Sequence, residues 1–346
     1  MIEKLLALDA IRLNFSDEGI VLMNIILAFI MFGVALEIKP ENFKRLVTAP
    51  RSVIVGIISQ VILLPAITFV AVMILPLTPT VSLGMILVAA CPGGNISNFI
   101  SATAKANVEL SVSLTAFTTL ASPITTPLNF MFWGSLYISN SPLIRPIEIP
   151  FLQVFQTVII LLGLPLVVGI WFSKKFPTIT AKILKPVKIA SIFAFIGFVI
   201  GALSANFDNF LKFIHIVLPI VILHNGLALF TGYFSGTAIK IPRVDRRTIT
   251  IETGIQNSGL ALALIFNPKI FPVELELGGM AFIAAVWGIW HMFSGIGFAL
   301  LWSKIPSNES DFTYFFGRWR KPHTIEDFPK LKARTEKRKN SGKTTE

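Results

Sequence analysis

Long stretches of this chain contain no Asp, Glu, Lys or Arg: Gly19–Leu36, Ser52–Ala104, Leu110–Ile144, Ile149–Ser173, Ile189–Phe207, Phe213–Ile239 and Leu277–Ser303. A helix needs ~20 mostly apolar residues to cross a hydrocarbon core, and these runs supply that length repeatedly. Charged residues make up 14% of the 346-residue chain, against about 25% in soluble domains. Disorder, collagen and disulfide-rich scaffolds are thereby excluded, and the one cysteine, Cys91, has no intrachain partner. Outer-membrane strands would be ~10 residues of strict alternation, which these runs do not show. The chain reads as an all-α multispan membrane protein.

Proline, glycine and short polar links divide the runs into about nine spans, at roughly 19–38, 51–76, 81–101, 108–135, 151–173, 188–206, 213–239, 247–267 and 277–303. Ahead of them, residues 1–18 carry Asp9, Asp17 and Glu18 and lack the basic start of a signal peptide. The expected division is an extracytoplasmic segment at 1–18, a transmembrane region at 19–303 and a basic cytoplasmic tail at 304–346. With the N-terminus outside, only Lys4, Arg12, Arg145, Lys212 and Lys269 of the 30 basic residues fall outside. The positive-inside rule therefore predicts N-out, C-in in the plasma (inner) membrane. The net charge of +11 then belongs to topology and to a tail beside anionic lipid. No folded basic face suggests a nucleic-acid partner.

Two stretches break the apolar pattern. Cys91-Pro92-Gly93-Gly94-Asn95-Ile96-Ser97-Asn98 lies in the third span, and Glu252-Thr253-Gly254-Ile255-Gln256-Asn257-Ser258-Gly259 in the eighth. Pro92 removes a backbone donor and glycines follow it, so a broken helix is predicted. Irregular backbone at membrane depth survives only against protein or water, and paired breaks in two halves point to a transporter built of inverted repeats. Glu252 is the acidic residue best placed inside the membrane. No Lys or Arg lies deep in a span to pair with it, which leaves a bound cation or a proton. Ser111 and Thr115 share a face of the fourth span and Gln60 interrupts the second. Such oxygens suit hard monovalent cations.

These residues resemble the bile acid:sodium symporter family, from about Met31 to Trp302. The resemblance rests on Cys91-Pro92-Gly93-Gly94-x-x-Ser97-Asn98 and on Glu252-x-Gly254-x-Gln256-Asn257-Ser258-Gly259-Leu260-Ala261, with smaller matches at Leu223-His224-Asn225-Gly226 and Trp290-His291. It implies core and panel domains with two crossed broken helices. Spans about 51–135 and 213–303 would form the core, and about 19–38 and 151–206 the panel. The broken helices would be third and eighth here rather than fourth and ninth, so the resemblance implies nine spans without the first helix of ten-span relatives. The resemblance further implies two Na+ sites. One would use Ser97, Asn98, Ser111, Thr115 and Glu252; the other Gln60, Glu252, Gln256 and the carbonyls of Thr253 and Ile255. Asn95, Asn257 and His291 become candidates for binding an organic anion such as a bile acid or a small carboxylate. Asn95 stands where threonine is common, and Met292 follows His291 where asparagine is common.

The resulting expectation is a sodium-coupled importer of an organic anion working by alternating access. A proton-coupled transporter of the same fold is the alternative, with Glu252 titrating. An intramembrane enzyme is disfavoured: the spans hold no aspartyl pair, no His-Glu-x-x-His and no Gly-x-Ser-x-Gly. His224 and His291 read as interhelical hydrogen-bond partners. Gly197-x-x-x-Gly201 and Gly232-x-x-x-Gly236 read as close helix packing within the chain.

Overall fold

The computed structural model describes residues 2–11, 17–43, 47–140, 151–204, 207–267, 270–271 and 275–305. Among them there are helices and no strand. In chain order they are α1 (Ile2–Asp9), α2 (Asp17–Glu37), α3 (Pro50–Ile58, a π turn at Ser59–Leu63, then Leu64–Ile74), α4 (Pro79–Ala90), α5 (Ile96–Thr103) and α6 (Val108–Asn140). There follow α7 (Phe151–Val158, a π turn at Ile159–Gly163, then Leu164–Lys175), α8 (Pro177–Ser204), α9 (Phe207–Ala238), α10 (Arg243–Gly254), α11 (Ser258–Ile265) and α12 (Gly278–Ser303). The basic tail expected at 304–346 lies, beyond Ile305, outside the described residues. The chain divides into two units, Met1–Leu300 and Leu301–Glu346. Of the latter, 301–305 finishes the last helix, with the Lys304 N–H donating to the Leu301 carbonyl (3.2 Å).

Proline placement explains several of these boundaries. Pro50, Pro79 and Pro177 open helices, where a missing N–H breaks no bond and a fixed φ suits the first turn. Pro65 and Pro165 sit inside helices, each just after a π turn. A mid-helix proline crowds the carbonyl four residues earlier, here Val61 and Leu161, which both lie in the wide turn. The π geometry absorbs that clash, so neither helix ends.

By length and composition, Pro50–Ile74, Phe155–Lys175, Leu211–Ala238 and Gly278–Ser303 can cross a membrane, and Asn24–Glu37 and Pro79–Ala90 are shorter apolar helices. The expected third and eighth spans are each split in two, as α4 with α5 and α10 with α11. α8 begins well before the expected 188, because its first turns carry Lys182 and Lys185 and hydropathy marks only the apolar part of a helix.

Small residues set the packing. α2 lies against α7 and α8, and a Cβ at Gly169 would come within 2.5 Å of Ala35 Cβ. α9 lies against α10, where Cβ atoms at Gly232 and Gly236 would meet Thr250 Cα (2.7 Å) and Arg246 Cγ (2.9 Å). That glycine pair packs within the chain as expected. Gly197 does not, having no atom within 4 Å of an added Cβ.

The first turn of α10 is tied to its neighbours by polar side chains. Ser52 Oγ (2.6 Å) and Asn107 Nδ2 (2.7 Å) donate to Asp245, and Arg247 Nη1 donates to the Ala104 carbonyl (3.1 Å). Ser52 reaches Asp245 and Ser59 reaches Thr253, so α3 and α10 run parallel.

Residues 1–18 contain more than a polar lead-in. α1 buries Leu5 and Leu8 completely, and Gly278 and Gly279 leave room for its end against α12. Asp9 accepts from Thr78 Oγ1 (2.8 Å), Thr80 Oγ1 (2.7 Å) and the Thr80 N–H (3.3 Å). A carboxylate therefore sits at the positive N-terminal end of α4. Burial pushes the Asp9 carboxyl above its ordinary value and the Glu276 carboxylate adds to the rise, against the opposing Thr80 and Thr78 bonds. The docked segment thus holds a proton more tightly than the free one. Docking is strongest below the ordinary value of 3.8 and weakens as pH rises through the shifted value. Hydrogen exchange at Ile2–Asp9, corrected for intrinsic rates, is expected to slow between about pH 7 and about pH 4. Equal protection at both ends would contradict this.

Candidate functional site

The two helix breaks pair with each other. Pro92 disfavours helix at the residue before it, and Cys91 is extended (φ −72°, ψ 156°). Ile255 is extended as well (φ −112°, ψ 91°). Gly93 and Gln256 form an antiparallel bridge. The Gly94 N–H donates to the Ile255 carbonyl and the Asn257 N–H to the Pro92 carbonyl, both at 2.8 Å. Backbone groups loosened by one break are thus satisfied by the other. The approach needs small residues: a Cβ at Gly94 would lie 3.3 Å from the Gln256 carbonyl oxygen, and one at Gly93 would lie 2.9 Å from Glu252 Oε2.

Glu252, in the last turn of α10, is wholly buried. Its Oε1 accepts from Ser97 Oγ at the start of α5 and from Ser111 Oγ on α6. Thr115 Oγ1, one turn beyond Ser111, reaches both oxygens (3.1 and 3.0 Å). Gln60 Nε2, in the π turn of α3, donates to Oε2 at 3.4 Å. Among the described residues no Lys or Arg contacts this carboxylate. Hydroxyl and amide donors from three helices solvate it without neutralising it.

The structure therefore gathers Gln60, Ser97, Ser111, Thr115 and Glu252 into one hydrogen-bonded cluster. The remaining expected ligands lie in or beside the breaks. Thr253 Oγ1 is engaged with the Ile249 carbonyl (2.8 Å) and Ser59 (3.0 Å), while its own carbonyl accepts Gln256 Nε2 (2.8 Å). The Ile255 carbonyl takes the Gly94 N–H and keeps a second lone pair. Among the described residues, the buried side-chain amide oxygens without a hydrogen-bond partner are Gln60 Oε1, Asn98 Oδ1 and Gln256 Oε1. An unpaired buried acceptor costs ~1–3 kcal/mol, and an amide oxygen is a group that a cation can satisfy. No group of three His, Cys, Asp or Glu is positioned for a metal among the described residues. One carboxylate among neutral oxygens suits a hard cation of low charge.

Asn95 occupies the N-cap position of α5 without a side-chain capping bond and is half-buried. Asn257 caps α11 by accepting the Leu260 N–H (3.1 Å), which leaves its amide nitrogen for a ligand. His291 is buried on α12 with Nδ1 unpaired. His224 does bridge helices, its Nε2 pairing with Thr68 Oγ1 (2.9 Å) while its ring lies 4.6 Å from that of Trp287. Sequence reasoning assigned no role to Ser59, Asn225 or Ser294. Asn225 lies within the quoted Leu223–Gly226 match, the one signal that pointed to it.

Residues 24–213 match the model of the Sodium Bile acid symporter family. The chain is 33% identical over 282 residues to the uncharacterized sodium-dependent transporter YocS of Bacillus subtilis (strain 168), covering 82% of this chain and 83% of that protein. It is 28% identical to the probable sodium/metabolite cotransporter BASS2, chloroplastic, of Oryza sativa subsp. japonica, covering 82% of this chain and 65% of that one. Identity to the ileal sodium/bile acid cotransporter of Cricetulus griseus is 24%, with 77% of each chain covered.

Replacing Gly93 with alanine would push a methyl against Glu252 Oε2 and, behind it, Gln60 Nε2 (3.5 Å). Overpacking of this kind costs ~1–3 kcal/mol. A Gly93→Ala protein is expected to melt several degrees lower by intrinsic fluorescence, and an unchanged melting temperature would show that the breaks are not tightly apposed.

Proposed function

The chain belongs to the sodium bile acid symporter family, and from that premise we propose that it imports an organic anion together with two sodium ions by alternating access. It is a multi-pass membrane transporter and not an enzyme. The observation that carries the sodium reading is the company Glu252 keeps. Its carboxylate is fully buried without a basic partner among the described residues, and the amide oxygens of Gln60, Asn98 and Gln256 have no hydrogen-bond partner.

Ions bound here are cargo. Ser97, Asn98, Ser111, Thr115 and Glu252 would hold one; Gln60, Glu252, Gln256 and the carbonyls of Thr253 and Ile255 the other. The hydroxyls of Ser97, Ser111 and Thr115 can keep their protons on Glu252 while turning lone pairs to a cation. Glu252 serves both ions, so its loss empties both sites. The organic anion would meet the crossing at Asn95 and Asn257, where half-helix N-termini offer N–H groups and positive dipole ends, with His291 nearby on α12. α2, α7 and α8 would act as the panel, moving against the rest as the core, with the N-terminus outside and the C-terminus inside the plasma membrane.

A proton on Glu252 would also relieve the buried charge. It would leave the three amide oxygens unpaired, so the same observation favours sodium.

Purified protein is expected to melt higher in sodium chloride than in potassium chloride at equal ionic strength, and Glu252→Gln should abolish the difference. A ligand at 100 times its dissociation constant stabilises by about 2.7 kcal/mol, enough to read directly. A melting temperature that follows pH but ignores sodium would transfer the reading to proton coupling. With two sodium ions and a monoanion, each cycle moves one net positive charge inward, driven by ~2.3 kcal/mol per 100 mV. Uptake into proteoliposomes should therefore accelerate under an inside-negative potassium diffusion potential. Insensitivity to voltage would rule out that stoichiometry.

A further inference from the structure

We infer that Asn225, anchored by Ser294, is a positioning residue that sets the carbonyl fan of the α10 break and thereby tunes cation binding there; the inference rests on the sodium reading above. In a continuous helix the Gly254 carbonyl would accept the N–H of Ser258. The break redirects that N–H to the Gln256 carbonyl (2.9 Å) and leaves the Gly254 oxygen free inside the membrane. Asn225 Nδ2, on α9, donates to it at 2.7 Å. The amide is held from its other side, where Ser294 Oγ on α12 donates to Asn225 Oδ1 at 2.6 Å. A carbonyl cannot donate, so the nitrogen must face Gly254 and the amide has one orientation.

Three consecutive carbonyls at the break each take a donor from a different source. Gln256 Nε2 reaches Thr253, Asn225 Nδ2 reaches Gly254, and the Gly94 N–H reaches Ile255. Peptide units are planar, so fixing the Gly254 oxygen fixes the plane joining Gly254 to Ile255. It thereby sets how the flanking Thr253 and Ile255 oxygens are aimed. Those two are the carbonyls proposed for the second ion, while the Gly254 oxygen is held out of the site by its own donor. Leu229 lies one turn beyond Asn225 on the same face of α9 and meets Gly254 by packing alone. One face of α9 thus grips the break by two separable means, a directed hydrogen bond and a van der Waals contact.

The experiment is a sodium titration of melting temperature at constant ionic strength, on full-length wild type, Asn225→Leu, Ser294→Ala and Leu229→Ala. Wild type is expected to respond with a Hill coefficient near two. Asn225→Leu should move the sodium midpoint roughly tenfold upward, the effect of losing one buried donor, with the Hill coefficient falling towards about one. Ser294→Ala frees the amide without removing its donor and should shift the midpoint a few-fold. Leu229→Ala should lower the melting temperature and leave the midpoint in place, separating packing from aiming. Wild-type midpoints in both Asn225→Leu and Ser294→Ala, beside a responsive wild type, overturn the positioning role alone. If Asn225→Leu does not fold, Ser294→Ala decides by the same criterion. A wild type indifferent to sodium overturns the sodium reading and this inference with it.

Discussion

Two helices can stop halfway across a hydrocarbon layer only if the backbone groups they abandon find partners without water. Here the two breaks supply each other: the Gly93–Gln256 bridge and the flanking bonds from Gly94 to Ile255 and Asn257 to Pro92 close most of the account. What remains is taken up by side chains, Asn225 on the Gly254 carbonyl and Asn257 on the Leu260 N–H. In lipid an unmet backbone group costs several kcal/mol, so this mutual satisfaction is the condition on which the two breaks exist. Everything polar nearby is arranged around it.

The pairing of the two breaks also explains where the carboxylate sits. Glu252 occupies the last helical turn before one break, and Ser97 the first turn after the other. The bridge brings these turns together. Ser111 and Thr115 then close one side from α6, and Gln60 the other from α3. The carboxylate is wrapped in hydroxyl and amide donors with no basic partner among the described residues. It is on this arrangement that the proposed sodium sites rest.

Much of this was legible in the residues. Charge-free runs gave the membrane class, and proline followed by glycines in Cys91–Asn98 gave a break. The isolation of Glu252 from every deep basic residue pointed to a bound cation or a proton. The resemblance supplied Gln60, Ser111 and Thr115 as its neighbours, and the structure places them within hydrogen-bonding distance. The α1 helix was not legible, because Leu5, Leu8 and Asp9 are too few to show a pattern and their partners lie far along the chain at Thr78, Thr80 and Gly278. Nor was the role of Asn225, whose importance depends on a carbonyl freed in another helix. The glycine pairs show the limit from the other direction. Gly197 and Gly232 open glycine pairs of the same spacing, yet of these two only Gly232 meets a neighbour, and spacing alone carries no information about what lies opposite.

The π turn at Ser59–Leu63 makes α3 sensitive to length in an unusual way. Neighbouring residues on an α-helix point about 100° apart, yet Ser59 and Gln60 both reach α10, at Thr253 and Glu252. The wide turn lets consecutive side chains share a partner, and beyond it Thr68 is left facing His224 on α9. A π turn fits one extra residue into a single turn, so losing one residue there would restore ordinary winding and keep the stretch from Leu64 to Ile74 in phase, at the cost of the room in which Ser59 and Gln60 reach α10 together. Losing a residue from an ordinary turn of α3 would instead rotate everything beyond it by about 100°. The α9 contact and the α10 contact could then no longer be made at once, so the wide turn is where this helix best absorbs a change in its number of residues.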